Sequence, residues 1–200
     1  MSPPLRIHIT GASGSGVSTL GAALAAAIGA VPLEADDYYW LPTTPPFQHK
    51  RPPAERLARL LADQAAHPRT VLAGSVLGWG AELEHGFDLV VFLYLETALR
   101  VERLRAREIE RLGHADPAFL EWAALYDAGP PEGRSLAKHR AWLAERRCPV
   151  VELHGDDSVE QRLARIFRAV LAQPQLAGTL REAARRWLDA VERPPTTGAA

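Results

Sequence analysis

The residues with the most chemical content run from Gly11 to Thr19: Gly11-Ala12-Ser13-Gly14-Ser15-Gly16-Val17-Ser18-Thr19. Glycines at this spacing let the backbone curl until successive N–H groups converge on one point, and such a nest of donors binds phosphate oxygens. Ser18 stands where a hydroxyl would reach the Mg²⁺ that accompanies a nucleotide. The stretch follows the pattern G-x-x-x-x-G-K-[ST] except at one place, where Val17 replaces the lysine and brings no charge. Amides, helix dipole and Ser18 suffice to hold a nucleotide. Charge developing on a transferred γ-phosphoryl group then needs a cation from elsewhere.

Candidates for that cation lie in two regions. Lys50 and Arg51 sit in a proline-rich stretch, Leu41 to Pro53, and either is placed to swing over the phosphates, Lys50 being the expected replacement for the missing lysine. Further on, Arg100, Arg103, Arg107 and Arg111 recur at three- and four-residue spacing, which predicts one stripe on a helix. Arg103, Arg107 and Arg134 are the arginines expected to close over phosphates and exclude water. The plainer reading is a solvated face paired with Glu102, Glu108 and Glu110.

Transfer to a hydroxyl also needs a carboxylate for the acceptor proton and oxygen ligands for the metal. Glu34-Ala35-Asp36-Asp37-Tyr38-Tyr39-Trp40 supplies acids beside three flat rings. Asp36 is the expected base or acceptor contact. Asp37 and Glu34 compete for the Mg²⁺ shell with Ser18, and the rings offer stacking surfaces. The alternative is that Asp37 caps a turn and the aromatic residues are core.

These groups need elements to position them. Leu5–Thr10 alternates as a first strand, the glycine loop follows it, and the Ala/Leu run from Ser18 to Ile28 predicts a helix ended by Gly29. Val31–Glu34, Thr70–Gly74, Asp88–Leu95 and Pro149–Leu153 predict four more strands. The unbroken apolar run before Leu95 suits a parallel strand covered on both faces. Helices are predicted over Ala54–Ala66, Thr97–Leu112, Pro117–Tyr126, Ser135–Arg147, Val159–Ala172 and Leu176–Val191, with a Gly/Pro hinge at Asp127–Arg134. Strands alternating with helices predict an α/β fold with a five-stranded parallel sheet, flanked by helices in three layers and joined by right-handed crossovers.

The 200 residues, 47% hydrophobic with a net charge of −1, suit one domain over residues 1–193 with a helical lid at about 113–138 and a disordered tail at 194–200. Near-neutral charge gives no reason to expect nucleic acid or membrane partners. One cysteine, Cys148, excludes a disulfide framework, and no secretory signal or spanning run is evident, so a cytoplasmic monomer or homodimer is expected. Only Lys50 and Lys138 are lysines, so arginine is a compositional habit of this chain and each one is weaker evidence of an anion site.

Taken together, the loop Gly11–Thr19, Asp36-Asp37-Tyr38-Tyr39 after the second strand, and the arginine helix before the lid resemble the adenylate-kinase-like P-loop kinases, over roughly Leu5–Val170. Asp36-Asp37-Tyr38-Tyr39 is similar to uridine and nicotinamide-riboside kinases, Glu34-x-Asp36 to shikimate kinases, and Gly113-His114 to gluconate kinases. The resemblance implies strand order 2-3-1-4-5 and ATP with Mg²⁺ as phosphoryl donor to a small hydroxylated or nucleoside-like acceptor. Chains of this kind are also often labelled AAA-family ATPases, but the third strand lacks the usual Walker B aspartate. Two readings without a kinase reaction stay open: a nucleotide-binding regulator and a nucleotide hydrolase.

Overall fold

The structure, a computed structural model, describes residues 4–129 and 133–193. Strands β1 (Leu5–Gly11), β2 (Val31–Glu34), β3 (Arg69–Ala73), β4 (Leu89–Tyr94) and β5 (Val150–His154) form a parallel sheet in the order β2-β3-β1-β4-β5. This is the predicted fold class and strand order. Around the sheet lie α1 (Val17–Ile28), α2 (Ala35–Tyr39), α3 (Pro53–Ala66), α4 (Ala81–Glu84), α5 (Thr97–Leu112), α6 (Pro117–Ala124), α7 (Leu136–Ala144), α8 (Val159–Leu171) and α9 (Gly178–Glu192). The expected tail at 194–200 and the middle of the expected hinge, residues 130–132, lie outside the described residues.

Alternation along the strands divides the core in two. Ile7, Ile9, Val91 and Leu93 join Leu20 and Leu24 of α1, Phe167 of α8, and Leu180 and Leu188 of α9. Leu72, Val90 and Phe92 join Leu60 of α3, Leu83 of α4 and Trp142 of α7 on the other face. Each fully buried Leu or Ile contributes roughly 2 kcal/mol. Because all five strands run the same way, their carboxyl ends share one edge, where open α/β sheets bind ligands.

Two regions depart from expectation. The acidic stretch is not an extended strand end but the short helix α2, which buries Ala35 and Tyr38 and exposes Asp36 and Asp37. The proline-rich stretch after it folds back on itself: Trp40 bridges Lys50 antiparallel, and Leu41 N–H donates to His49 O at 2.8 Å. Arg51 ties this return together. It is buried and donates to Tyr38 O at 3.0 Å, Trp40 O at 3.3 Å and Glu55 Oε1 at 2.7 Å. Its hydrogen-bonding edges are occupied locally, which removes it as a mobile cation over the phosphates. Among the described residues, no helix is long and apolar enough to cross a membrane.

Candidate functional site

The glycine loop joins the carboxyl end of β1, at the sheet centre, to the amino end of α1. Gly16 caps the helix with φ 94°, and the first intrahelical bond is Leu20 N–H to Gly16 O at 3.0 Å. The N–H groups of Val17, Ser18 and Thr19 therefore precede the helical ladder, as the first turn of any helix requires, and are free to serve an anion. Gly14, at φ 83°, lets α5 come close. A Cβ there would fall 2.6 Å from Arg100 O, a clash no side chain survives. The loop is also tied internally, Ser15 Oγ donating to Ala12 O at 2.8 Å.

Val17 packs partly buried against the α1 face of the core. Its side chain is a packing group, and the loop's positive character comes from its amides and its neighbours. Among the described residues, two arginine side chains hydrogen-bond the loop. Arg134 Nη2 donates to Ser13 Oγ at 2.6 Å, and its guanidinium lies 5.5 Å from the Trp122 ring centroid. Its Nε is buried and has no hydrogen-bond partner among the described residues. Burial lowers the Arg134 pKa, opposed by the negative charge of Asp36. The charge of Asp36 on α2 is thus felt at the arginine that holds the phosphate loop.

The second loop contact, Arg162 of α8, was not anticipated. It is 5% exposed and donates from Nη1 to Ser15 O at 2.8 Å and from Nη2 to Gly155 O at 3.1 Å. A guanidinium on the Ser15 carbonyl polarises the peptide whose N–H belongs to Gly16, making that N–H a better donor. Ser15 and Arg162 are 147 residues apart, and nothing in the local sequence marks the pair.

On the acceptor side, Ser18 Oγ donates to Glu34 Oε2 at 2.9 Å. Burial raises the Glu34 pKa, the Ser18 hydrogen bond lowers it, and the charges of Asp36 and Asp37 raise it further. Hydroxyl and carboxylate oxygens side by side are hard donors of the kind Mg²⁺ takes. Among the described residues no group of three acidic, histidine or cysteine side chains gathers there, so the ion's other ligands would be phosphate and water oxygens. Glu34 therefore takes the place beside Ser18, with Asp37 contributing charge to the same group. Tyr38 turns away and donates to Asp63 at 2.7 Å, while the Tyr39 ring stacks on Trp79 at 6.2 Å between centroids. Lys50 Nζ lies 6.0 Å from the Tyr39 centroid, so the structure gathers it with the aromatic residues near Asp36 rather than with the glycine loop.

The arginine stripe on α5 divides by depth. Arg100 is fully buried, donating to Leu95 O at 2.8 Å and Ala123 O at 3.2 Å, and so ties the end of β4 to the carboxyl end of α6. Arg103 pairs with Asp156, and both line a cleft of about 480 Å³ with Gly16, Thr19 and Arg162. Arg107 is exposed and pairs with Glu108 beside it at 3.3 Å, away from the loop contacts. Buried His139 hydrogen-bonds the Tyr126 hydroxyl through its Nδ1 at 2.6 Å and Thr10 Oγ1 through its Nε2 at 3.3 Å. Burial lowers its pKa to about 3, so it is neutral and serves as a strut between α7 and the strand that leads into the loop. His114 hydrogen-bonds only Leu112 O among the described contacts.

A parallel 2-3-1-4-5 sheet with a glycine-rich loop between its central strand and first helix defines the chain as a P-loop, kinase-like α/β protein. No protein-family model matches it. The chain is 44% identical over 171 residues to the uncharacterized protein YqaC of Bacillus subtilis (strain 168), a match covering 80% of this chain and 94% of that one, and it belongs to the YqaC family. Among solved structures it is similar to a gluconokinase from Sinorhizobium meliloti 1021, with TM-score 0.50 and 21% identity over 96% of this chain and 100% of that one. It is also similar to a sugar kinase from Janibacter sp. HTCC2649, with TM-score 0.53 and 20% identity over 89% and 98% of the two chains. At these identities the likeness concerns the fold.

Proposed function

We propose that the chain is an ATP- and Mg²⁺-dependent kinase that transfers the γ-phosphoryl group to a hydroxyl of a small acceptor. The observation that carries this reading is Arg134, held on Ser13 of the phosphate loop and within the field of Asp36. One cation then serves the phosphates within the field of the acid that would receive the acceptor's proton. The fold neighbours, a gluconokinase and a sugar kinase, agree with it.

In this reading the N–H groups at the start of α1 and the backbone of Gly11–Gly16 hold the β- and γ-phosphates. Arg162 strengthens one of those donors from behind. Arg134 supplies the charge missing at Val17, through a guanidinium whose Nε–H still lacks an acceptor. Ser18 and Glu34 are the residues that would hold Mg²⁺, with Asp37 nearby, and the ion when bound neutralises phosphate charge. Asp36, exposed on α2, orients the acceptor hydroxyl and takes its proton. Arg103 borders the cleft that opens from Gly16 and Thr19, where the rest of the nucleotide fits. Residues 113–138, within one domain spanning 1–193, act as a lid that brings Arg134 down on the loop.

The test is transfer of label from γ-³²P-ATP to a panel of hydroxylated acceptors, beside a thermal-shift assay with ATP and Mg²⁺. The expected result is a Mg²⁺-dependent shift and at least one phosphorylated product. A Mg²⁺-dependent shift with no product across the panel would establish the second reading instead, a nucleotide-binding regulator without turnover. The packing of Val17 into the core favours that second reading, since it removes the usual catalytic cation.

A further inference from the structure

We propose that the acceptor carries an oxyanion, a carboxylate or a phosphate, and that Arg56 binds it with Lys50 beside it. This rests on the kinase reading above. Arg56 lies in the first turn of α3, its N–H donating to Pro52 O at 3.0 Å. A cation in that turn faces the positive end of the helix dipole, which is unfavourable. The acid next to it is already engaged: Glu55 Oε1 is 2.7 Å from Arg51 Nη1 and 3.6 Å from Arg59 Nη1. Among the described residues the Arg56 guanidinium has no carboxylate partner, and its Nε is buried without a hydrogen bond.

What holds Arg56 is aromatic. Its guanidinium carbon lies 4.9 Å from the Tyr39 centroid and 4.6 Å from the Trp79 centroid. Stacking fixes the plane of a guanidinium and leaves its N–H edge for a ligand in that plane, the geometry that grips carboxylate or phosphate with two parallel bonds. Lys50 Nζ approaches the same Tyr39 ring and also lacks a carboxylate partner among the described residues. Two cations at one ring repel each other. An anion bound at Arg56 offsets that repulsion, offers the Nε–H an acceptor and counters the charge at the helix end.

The anion and the reacting hydroxyl belong to one small molecule. Tyr39 follows Asp36 by three residues on α2, which places the two about one helical turn apart, roughly 5 Å. With Arg56 stacked on the Tyr39 ring, a hydroxy acid or a sugar phosphate has the two functions needed, an alcohol for Asp36 and an anion for Arg56. An uncharged nucleoside leaves both cations unserved.

Calorimetric titrations, with and without Mg²⁺ and ADP, would present D-gluconate, D-glycerate and D-glucose 6-phosphate beside uncharged D-glucose, glycerol and uridine. At least one anion is expected to bind and to weaken at least tenfold in Arg56→Ala, and the carboxylate and phosphate arms identify which oxyanion is taken. Arg56→Lys keeps the charge but loses the fork. It carries the same test should the alanine variant fail to fold, with a several-fold loss expected. No binding by any of the three anions, an uncharged compound bound as tightly as its charged counterpart, or unchanged affinity in both variants would each overturn the proposal. Label transfer is read separately. An acid that binds through Arg56 but is never phosphorylated overturns the kinase reading and leaves the anion site standing. A neutral acceptor phosphorylated equally by wild type and Arg56→Ala upholds the kinase and overturns the anion site.

Discussion

At position 17 a branched apolar side chain packs into the core, so the phosphate loop must work without a charge of its own at that point. Val17→Ala should then cost about 1 kcal/mol of stability through lost packing, while the affinity for ATP stays within threefold in a titration. A large loss of affinity without unfolding would show that the side chain itself shapes the phosphate site. Asp36 is exposed, in line with its proposed role as proton acceptor and not as a strut. Asp36→Asn should lower kcat by roughly 10²- to 10⁴-fold with the dissociation constant for ATP little changed. Steady-state kinetics and calorimetry on the same preparation separate those two effects. Glu34 titrates above the usual carboxylate range because it is buried, with neighbouring acids adding to the effect. Since the metal requires its ionised form, Mg²⁺-dependent ATP binding should weaken as pH falls through that raised range, and Glu34→Gln should reduce the pH dependence to that of the nucleotide's own phosphate.

The loop is held in shape by two elements distant in sequence. α5 presses its backbone against Gly14, and α8 reaches Ser15 through Arg162. Gly14→Ala meets both a positive φ and a backbone oxygen at 2.6 Å, so it should lower the melting temperature and remove detectable ATP binding together. Arg162→Met leaves the Ser15 and Gly155 carbonyls unpaired and should cost about 2 kcal/mol, with ATP affinity falling as well, which paired melting and binding curves would show. This is also where the sequence becomes hard to read. The strands and the glycine loop were legible because their signals are local: the apolar run of β4, or glycines placed between a strand and a helix. The acidic stretch was legible in its residue types but not in its form as helix α2, since Ala35 and Tyr38 bury only in the folded context. Arg162 and Arg56 carried no local mark at all. In a chain that uses arginine almost exclusively as its base, a guanidinium that touches the site looks the same as one facing solvent. The spacing that grouped Arg100, Arg103 and Arg107 described a helix face correctly, but depth sorted them into a brace, a cleft-lining residue and a surface pair.

Across the whole molecule, two buried neutral histidines flank the same face of the sheet, His8 on β1 and His139 on α7. His8 stacks on Phe87 and hydrogen-bonds Leu72 O, and His139 links Tyr126 to Thr10. Burial lowers both pKa values to about 3. The unfolded chain takes up protons near the ordinary imidazole value of about 6.5, so the stability these groups contribute is present above that pH and is lost as pH falls toward 3. Denaturant unfolding at pH 7.5 and pH 5 should show a lower midpoint in acid, and His139→Gln should reduce the difference. The same framework positions the phosphate loop, Arg134 and the acidic helix at one sheet edge, and that assembly is the centre of the account. It is tested most directly by calorimetric titration of ATP and adenosine, with Mg²⁺, into wild type and Arg134→Ala. The expected result is that wild type binds ATP far more tightly than adenosine and that Arg134→Ala loses at least tenfold for ATP with adenosine unaffected. Equal affinities of wild type for ATP and adenosine, or full ATP affinity in Arg134→Ala, would contradict it.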